Sequence, residues 1–304
     1  MATFYIGPTG DDANDGSEGS PWRNLHHAVS NTAADDTIIV KSGVTVSTSS
    51  QSGFSIGFDA RKIIGESSDP ADNVLDGGGI SIVEDGTVGP DCEIRNITFR
   101  NSWTVLNRTT FFLVVDGIVD RCVFENIVVA GDPNDVQARS GFIGRCGDGV
   151  VSNCVIRNLM PVVGRQATVM PINPSLASST LRVENCVFYN DGNPPSGAGS
   201  PTSMVFNREA NASAGDAAGI AFKNCIFLAA PDLFPRGLYD VISAAGVDGR
   251  AEFTNCCHHN LPADDTKDGL TLIDTIDDDP LFVDVDNGNF RLRPGSPCIG
   301  TGSL

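Results

Sequence analysis

The sequence predicts an all-β chain wound into a parallel β-solenoid with one coil per repeat. A short phrase returns six times, at steps of 25, 32, 32, 39 and 31 residues, and such periods are typical of stacked repeat proteins. Apolar residues alternate within each copy, which indicates a β-strand. The copies are IRNITFRN from Ile94, VDRCVFEN from Val119, VSNCVIRN from Val151, VENCVFYN from Val183, FKNCIFLA from Phe222 and FTNCCHHN from Phe253.

A strand, a loop and a helix precede the coils. The segment TFYIG from Thr3 predicts a first strand, and a loop rich in Asp, Asn and Gly follows it. From Trp22 to Asn31 the apolar residues recur at helical spacing. Because the open end of a solenoid exposes strand edges, we expect this amphipathic helix to be a cap. The first full strand then follows Asp35.

Stacking the copies in register predicts columns of like residues. The cysteines act as small buried hydrophobes, and the aromatic slot points inward beside them. The Asn that closes most copies tolerates left-handed backbone and is expected to bond its neighbour as an Asn ladder. The three columns are Cys122, Cys154, Cys186, Cys225 and Cys256; Phe99, Phe124, Ile156, Phe188 and Phe227; and Asn101, Asn126, Asn158, Asn190 and Asn260.

Composition excludes several partners. With 38 acidic and 20 basic residues the net charge is −18, which disfavours nucleic acid and anionic membrane surfaces. There is no apolar run long enough to span a bilayer. The N-terminus lacks a basic start and a hydrophobic segment, so we expect no secretory signal. Nine cysteines without a CxxC motif favour neither a disulfide framework nor zinc.

Both ends of the chain carry a family resemblance. The opening, FYIGPTGDDANDG through DDTIIVKSGV, resembles right-handed parallel β-helix proteins of the pectate-lyase-like superfamily. The closing segment DDDPLFVDVDNGNFRLRPGSPCIGTG is similar to that of bacterial surface β-helices of the choice-of-anchor type. The resemblance implies one β-helix domain over residues 1–304: a strand, loop and cap helix (1–34), coils with lateral insertions (35–260) and a closing segment (261–304). Such folds host lyases, hydrolases, adhesins and phage spikes, so fold alone does not assign function.

Catalytic patterns of this fold are incomplete in the sequence. A lyase needs a calcium site of several Asp and a basic residue, yet no Asp cluster accompanies Lys223 in its copy. A hydrolase needs paired carboxylates, for which we assign Asp120, Glu184 and Glu252 to one outward column. A solvated face is the simpler interpretation. Structural roles are likewise expected for the four histidines, His26, His27, His258 and His259.

Candidate binding features remain. Insertions at Met160–Ser179 and Asp191–Gly219, with a third at 231–250, are expected to build the functional surface. Trp103 is the best candidate for stacking on carbohydrate. A loop dense in oxygen ligands suits a structural calcium ion, although its spacing breaks the EF-hand pattern; its members are Asp11, Asp12, Asn14 and Asp15. No other cofactor is expected.

These features favour a non-catalytic virion protein of the tailspike, fibre or capsid-decoration type, presenting a receptor- or carbohydrate-facing surface. A phage protein leaves its host by lysis and needs no signal, and the thiol column suits a reducing cytoplasm. The expected partners are further copies in a homo-oligomer, with a trimer favoured, other virion proteins and a glycan, with no nucleic acid or membrane. The alternative function is a polysaccharide lyase or glycoside hydrolase, and the alternative location is extracellular or at the cell surface.

Overall fold

A computed structural model describes most of the repeat region and both ends of the chain. The described residues are 1–48, 55–56, 61–78, 86–105, 110–130, 140–144, 148–158, 160–162, 171–172, 180–191, 205–209, 219–231, 238–243, 250–261 and 270–302. The predicted insertions lie largely outside these ranges. Within them, no helix is long and apolar enough to cross a bilayer.

Two long parallel sheets form the body of the molecule. Sheet 1 has ten strands: Thr3–Ile6, Thr37–Val40, Lys62–Gly65, Glu93–Arg95, Ile118–Asp120, Val150–Ser152, Thr180–Glu184, Gly219–Lys223, Arg250–Thr254 and Leu270–Ile273. Sheet 2 has nine: Gly43–Val46, Asn73–Asp76, Thr98–Arg100, Val123–Glu125, Val155–Arg157, Val187–Asn190, Ile226–Ala229, Cys257–His259 and Ile276–Asp277. The chain alternates between the sheets, so each passage adds one coil.

Shorter elements complete the coils and the ends. Three small parallel sheets contain Trp103–Val105, Val128–Ala130 and Met160–Val162; Ser55–Ile56, Gly86–Val88, Thr110–Val115 and Ser140–Gly144; and Pro171–Ile172, Val205–Glu209 and Tyr239–Ser243. An antiparallel pair, Phe282–Asp284 and Asn289–Leu292, forms the C-terminal hairpin. The helical elements are α1, Leu25–Ser30, and the 3₁₀ turn Pro70–Asp72.

Strand pairing places the repeats in phase. Val119 pairs with Ile94 on one side and with Val151 on the other, and Val183 pairs with Phe222 across the longest step. The sequence prediction of an all-β parallel β-helix with one coil per copy is confirmed. The division into a single domain stays a prediction.

The predicted inward columns form the core. The five cysteines of the column are buried, and so are the five residues of the aromatic slot. Rings stack from coil to coil: Phe99 and Phe124 have centroids 5.3 Å apart, and Phe188 and Phe227 are 4.8 Å apart. His258 continues this column, because it pairs with Phe227 and is 5% exposed. The solenoid is thus filled by side chains from end to end of the described coils.

The asparagine ladder runs mainly along a slot different from the predicted one. Asn101, Asn126, Asn158 and Asn260 have positive φ as expected, whereas Asn190 ends a strand. Nδ2 of Asn126 lies 3.4 Å from Oδ1 of Asn101, which forms one rung of the ladder in the predicted slot. A longer ladder instead uses the residue before the cysteine, from Asn153 to Asn224. In that slot Nδ2 of Asn185 lies 3.4 Å from Oδ1 of Asn153, and Nδ2 of Asn224 lies 3.2 Å from Oδ1 of Asn185. Left-handed backbone recurs there, because the chain turns between the two sheets.

The N-terminal helix is shorter than the sequence pattern suggests. α1 spans six residues, and Leu25, Ala28 and Val29 are its buried positions. They belong to the same apolar cluster as the coils. A guanidinium nitrogen of Arg61 donates to the carbonyl oxygen of Val29 over 2.6 Å, which ties the helix end to the solenoid. That this helix caps the open end remains a prediction.

Candidate functional site

The outer face of sheet 2 carries two columns of outward side chains. Strand register aligns Val74, Thr98, Val123 and Val155, which we call the apolar outer column. Two residues further along each strand the same register aligns Asp76, Arg100, Glu125 and Arg157, the charged outer column. Alternation along a strand sends these residues outward because the intervening positions fill the core. Sheet 2 therefore offers an apolar strip beside a strip of alternating charge.

A groove of about 280 Å³ lies over these two columns. The apolar outer column and the Arg100, Glu125 and Arg157 side chains of the charged outer column form its floor. Ala71 of the 3₁₀ turn also lines it, and the C-terminal hairpin contributes Asn287, Gly288 and Phe290. The floor from Val74 to Val155 crosses three strand steps, or about 14 Å. Thr98 Oγ1 donates to the carbonyl oxygen of Pro70 over 2.8 Å and holds the 3₁₀ turn against the floor.

Ion pairs fix the charged outer column. Arg100 Nε lies 2.7 Å from Asp76 Oδ2, and Arg157 Nε lies 2.7 Å from Glu125 Oε2. Arg157 makes a second contact to the same oxygen through Nη2. These side chains are between 12% and 32% exposed, so each pair is partly shielded from solvent. The hydrogen-bond donors and acceptors of this column are already fixed in position. A ligand that binds them therefore does not pay the entropy cost of immobilising these side chains.

The carboxyl of Asp76 is held in its ionised form. Burial acts to raise its pKa, but hydrogen bonds from the Gly78 amide, Arg100 and Asn101 outweigh burial and lower it. A carboxylate with a lowered pKa suits a hydrogen-bond acceptor or a base and does not suit a proton donor.

The C-terminal hairpin reaches this face from the far end of the chain. The ring of Phe290 meets Tyr189 edge-on, with centroids 5.8 Å apart. Tyr189 also shares a side-chain hydrogen bond with Asp286, and burial with the nearby carboxylates raises the pKa of its phenol. Gly288 has positive φ and abuts the guanidinium of Arg157, where a side chain would collide. The hairpin turn thus fits closely against sheet 2.

Sheet 1 has a second cluster on its outer face, centred on Asp120. Its Oδ1 accepts from Ser152 Oγ over 2.8 Å and from Asn153 Nδ2 over 2.7 Å. Its Oδ2 lies 3.2 Å from Arg95 Nη1 and 3.2 Å from Arg121 Nε. With 9% side-chain exposure, Asp120 is satisfied within the scaffold.

The assignment of Glu252 to the column of Asp120 is wrong. Register pairs Asp120 with Ser152, Ser152 with Glu184, and Glu184 with Lys223. Lys223 then pairs with Thr254, because Glu252 precedes the apolar slot where Glu184 follows it. Asp120 and Glu184 share a column but are separated by Ser152.

The loop predicted to hold calcium directs its oxygens to its own backbone. Asp11 Oδ1 accepts from the Ala13 amide over 2.9 Å, and Asp15 Oδ1 from the Ser17 amide over 3.0 Å. Asp12 accepts from the amides of Arg23 and Asn24, while Asn14 donates to the carbonyl oxygen of Pro21. Among the residues that the structure describes, no group of three or more His, Cys, Asp and Glu is arranged for a metal. Calcium here stays an untested prediction.

The remaining candidates are dispersed. Trp103 begins a short strand paired with Val128, and its side chain lies outside the described residues. His27 belongs to α1 and lies near Asp12 of the preceding loop. His258 is buried at the end of the aromatic column. Sequence reasoning missed the groove of sheet 2. The outward-facing Arg and Glu residues of successive repeats could have indicated the floor of the groove. No sequence pattern indicated that Phe290 packs against it.

Solved structures with a similar fold were found, whereas sequence comparison gave no match. The sequence matches no protein-family model and no curated protein. A rhamnogalacturonan lyase is similar in structure with a TM-score of 0.55 and 12% identity, over 86% of this chain and 69% of that one. The protein ybhc of Escherichia coli aligns with a TM-score of 0.51 and 12% identity, over 90% and 84%. Pectate lyase Pel9A aligns over 100% and 92% with a TM-score of 0.46 and 13% identity.

The chain is therefore a parallel β-helix protein of the architecture seen in pectate-lyase-like structures. Most of the similar structures are polysaccharide lyases and hydrolases, which describes those proteins. At identities of 9–13%, the likeness establishes the shared fold alone.

Proposed function

We propose that this protein is a non-catalytic surface β-helix that binds a carbohydrate segment in the groove of sheet 2. The observation that supports the proposal is the pairing of an apolar floor with fixed polar groups. Val123 and Val155 offer an apolar strip, while Arg100, Glu125 and Asn287 offer donors and acceptors beside it. Sugar rings present an apolar face and a rim of hydroxyls, and such a surface complements both.

The charge of the groove favours a neutral glycan over a polyanion. The two arginines on its floor are each paired with a carboxylate. The chain as a whole carries a net charge of −18, which repels polymers of the same sign. We therefore propose a hydroxyl-rich, uncharged oligosaccharide as the ligand.

Glycoside hydrolysis is the second candidate, and one observation favours it. Asp76 and Glu125 occupy the same outward column two strand steps apart, which is about 9.6 Å between backbones. Inverting hydrolases place their carboxyl groups about 6.5–9.5 Å apart. In such a reaction Asp76, with its lowered pKa, would be the base, and Glu125 would be the second carboxyl group of the pair. A lyase is the other catalytic possibility, by analogy with the rhamnogalacturonan lyase of similar fold.

Display on a virion is the finer part of the proposal. It rests on the buried thiol column, which suits folding in a reducing cytoplasm. A trimer and contacts with other virion proteins belong to the same proposal. Mass photometry of the purified chain tests the trimer, and probing purified particles with antibodies tests the location. A monomer that is absent from particles would overturn this part.

A binding screen tests the groove. Neutral and uronate oligosaccharides are titrated into the wild-type chain by calorimetry, together with Val123→Trp, which fills the floor. Thr271→Trp is the matched control, because Thr271 is an exposed residue of sheet 1. We expect a neutral oligosaccharide to bind the wild type and the control equally, and the groove variant at least about tenfold more weakly. Equal binding by all three proteins contradicts the groove assignment.

The same samples separate binding from catalysis. Long incubations with and without calcium are assayed for new reducing ends and for unsaturated products. Reducing ends that disappear in Asp76→Asn and in Glu125→Gln would replace the non-catalytic proposal with the hydrolase. Unsaturated products would replace it with a lyase, and the absence of both binding and products would overturn all three.

A further inference from the structure

The C-terminal segment, residues 278–302, folds back over the outer face of sheet 2. Its hairpin touches the coil of Arg157 through Gly288 and the coil of Tyr189 through Phe290. Gly302 lies next to the side chain of Asn224, one coil further on. A segment that leaves the last coil therefore covers earlier ones, and its hairpin lines the groove.

Two cysteines meet where this segment crosses the end of sheet 2. Cys257 faces outward, in register with Ile226 and Ile276, yet it is 3% exposed. The thiols of Cys257 and Cys298 are neighbours, and each affects the ionisation of the other. Cys257 Sγ also lies 3.3 Å from the carbonyl oxygen of Asp278. This pair joins the solenoid to the returning segment, unlike the cysteine column, which lies inside the solenoid.

A chain of hydrogen bonds holds Cys298 in place. Its amide donates to Ser296 Oγ over 3.2 Å, and that hydroxyl donates to the carbonyl oxygen of Pro280 over 2.6 Å. Thr301 Oγ1 donates to the Cys298 carbonyl oxygen over 3.1 Å. The turn around Cys298 is thereby fixed beside Cys257, while Cys298 itself is half-buried and reachable from solvent.

We propose that Cys257 and Cys298 form a reversible disulfide that latches the C-terminal segment onto sheet 2. The oxidant is a small disulfide such as oxidised glutathione. The Cys298 thiolate attacks one of its sulfurs, forming a mixed disulfide and releasing one glutathione thiol. Cys257 then loses its proton and attacks Cys298 Sγ, releasing the second thiol. The protein loses two hydrogens and two electrons, and the oxidant takes up both.

The surroundings of the two thiols fit these roles. Interaction with the Cys257 thiol, helped by Ser296, lowers the pKa of Cys298, which makes it the attacking thiolate. Interaction with Cys298, together with burial, raises the pKa of Cys257, which stays protonated until the second step. Burial raises the pKa of the column thiols Cys122, Cys154, Cys186 and Cys225, so they are poor competitors.

Closing the latch restricts the returning segment. The bond joins positions 257 and 298 and encloses the hairpin, so opening of the hairpin away from sheet 2 becomes more costly. Oxidation is expected to slow amide hydrogen exchange in Asn289–Leu292 by about tenfold or more. Reduction by a dithiol reverses the effect.

Thiol mapping tests the proposal on the full-length chain. Reduced protein is exposed under native conditions to a series of glutathione redox buffers, quenched with an alkylating reagent, digested and analysed by mass spectrometry. We expect an intact mass lower by two hydrogens and a linked peptide pair whose fragmentation places the bond between Cys257 and Cys298. Recovery of both thiols alkylated, a lasting glutathione adduct on Cys298 or a bond to Cys256 would overturn the proposal.

Two variants complete the test. Cys298→Ser, at a half-buried position, is expected to fold and to show neither the mass loss nor the slowed exchange. Cys256→Ala is the matched control for the adjacent thiol and keeps both. Slowed exchange in oxidised Cys298→Ser would contradict the latch. Because the bond is detected without any glycan, its failure is independent of the groove and leaves the carbohydrate proposal standing.

Discussion

Arg157 and Glu125 are paired across adjacent coils of sheet 2, with Nε 2.7 Å from Oε2. The pair joins two repeats that are 32 positions apart in the chain, at a point where the C-terminal hairpin also touches Arg157. It therefore links the stacking of the coils to the wall of the groove.

Replacing Glu125 by Gln tests this link. The carboxylate is 12% exposed and accepts two contacts from one guanidinium, and charged hydrogen bonds of this kind contribute about 1.5–3 kcal/mol. We expect the free energy of unfolding to fall by about that amount, measured by urea denaturation. Lys41→Gln is the control, because its pair with Glu66 spans 3.9 Å and is exposed; it is expected to cost about 0.5 kcal/mol or less. Equal losses would show that the pair does not anchor the coils.

Truncating a stacked ring tests the aromatic column. Phe124 is fully buried and its ring centroid lies 5.3 Å from that of Phe99. Phe124→Ala is expected to cost about 3–5 kcal/mol of stability, because a cavity replaces a packed ring. The neighbouring Val123→Ala removes outward-facing methyl groups from the same strand and is expected to cost about 1 kcal/mol. Thermal unfolding compares the two; a similar fall in Tm would contradict the column as the main packing element.

The ladder residue Asn185 separates backbone strain from side-chain bonding. Its φ is +54°, a conformation that costs alanine about 1–2 kcal/mol relative to glycine. Asn185→Ala and Asn185→Gly both lose the bonds to Asn153 and Asn224, and only the alanine variant adds strain. We expect alanine to be the less stable variant by about 1 kcal/mol, measured as a shift in the urea midpoint. Equal stabilities would mean that the left-handed turn is not maintained.

His258 makes stability depend on pH. Burial lowers its pKa from the ordinary 6.5, although Asp277, 3.7 Å away, acts to raise it. The folded state then binds fewer protons than the unfolded state, so stability is lost as pH falls through about 6.5. In His258→Phe, which extends the ring column, the decline of the urea midpoint between pH 8 and pH 5 is expected to be smaller. Carboxylates with lowered pKa values contribute equally to both proteins, and parallel declines would rule out this histidine.

The repeat phrase was enough to predict the fold, because the fold is determined by which side chains of each short strand point inward, and this is visible in the local sequence. Cys154 and Ile156 point inward because side chains alternate along a β-strand, and their counterparts in the other coils point inward for the same reason. The same repeat phrase also contains an asparagine before the cysteine, such as Asn153, for which no ladder was predicted. Its positive φ follows from where the chain bends between sheets, which alternation does not reveal.

The candidate groove was less accessible to sequence reasoning. Its floor residues Arg100, Glu125 and Arg157 could be read from the repeats, but their pairing depends on exact register between coils. Its wall depends on contact between Phe290 and Tyr189, about a hundred residues apart. Such a contact leaves no periodic trace in either segment.

The repeat copies are unequally spaced along the chain, yet their strands keep the same register. Val119 meets Val151 after 32 residues and Val183 meets Phe222 after 39, yet both pairs lie in the same column of sheet 1. Seven additional residues are thus accommodated between consecutive strands without shifting the next coil. Segment length and strand phase are uncoupled in this molecule, so a connecting segment can be exchanged for one of another length while the rise per coil stays the same.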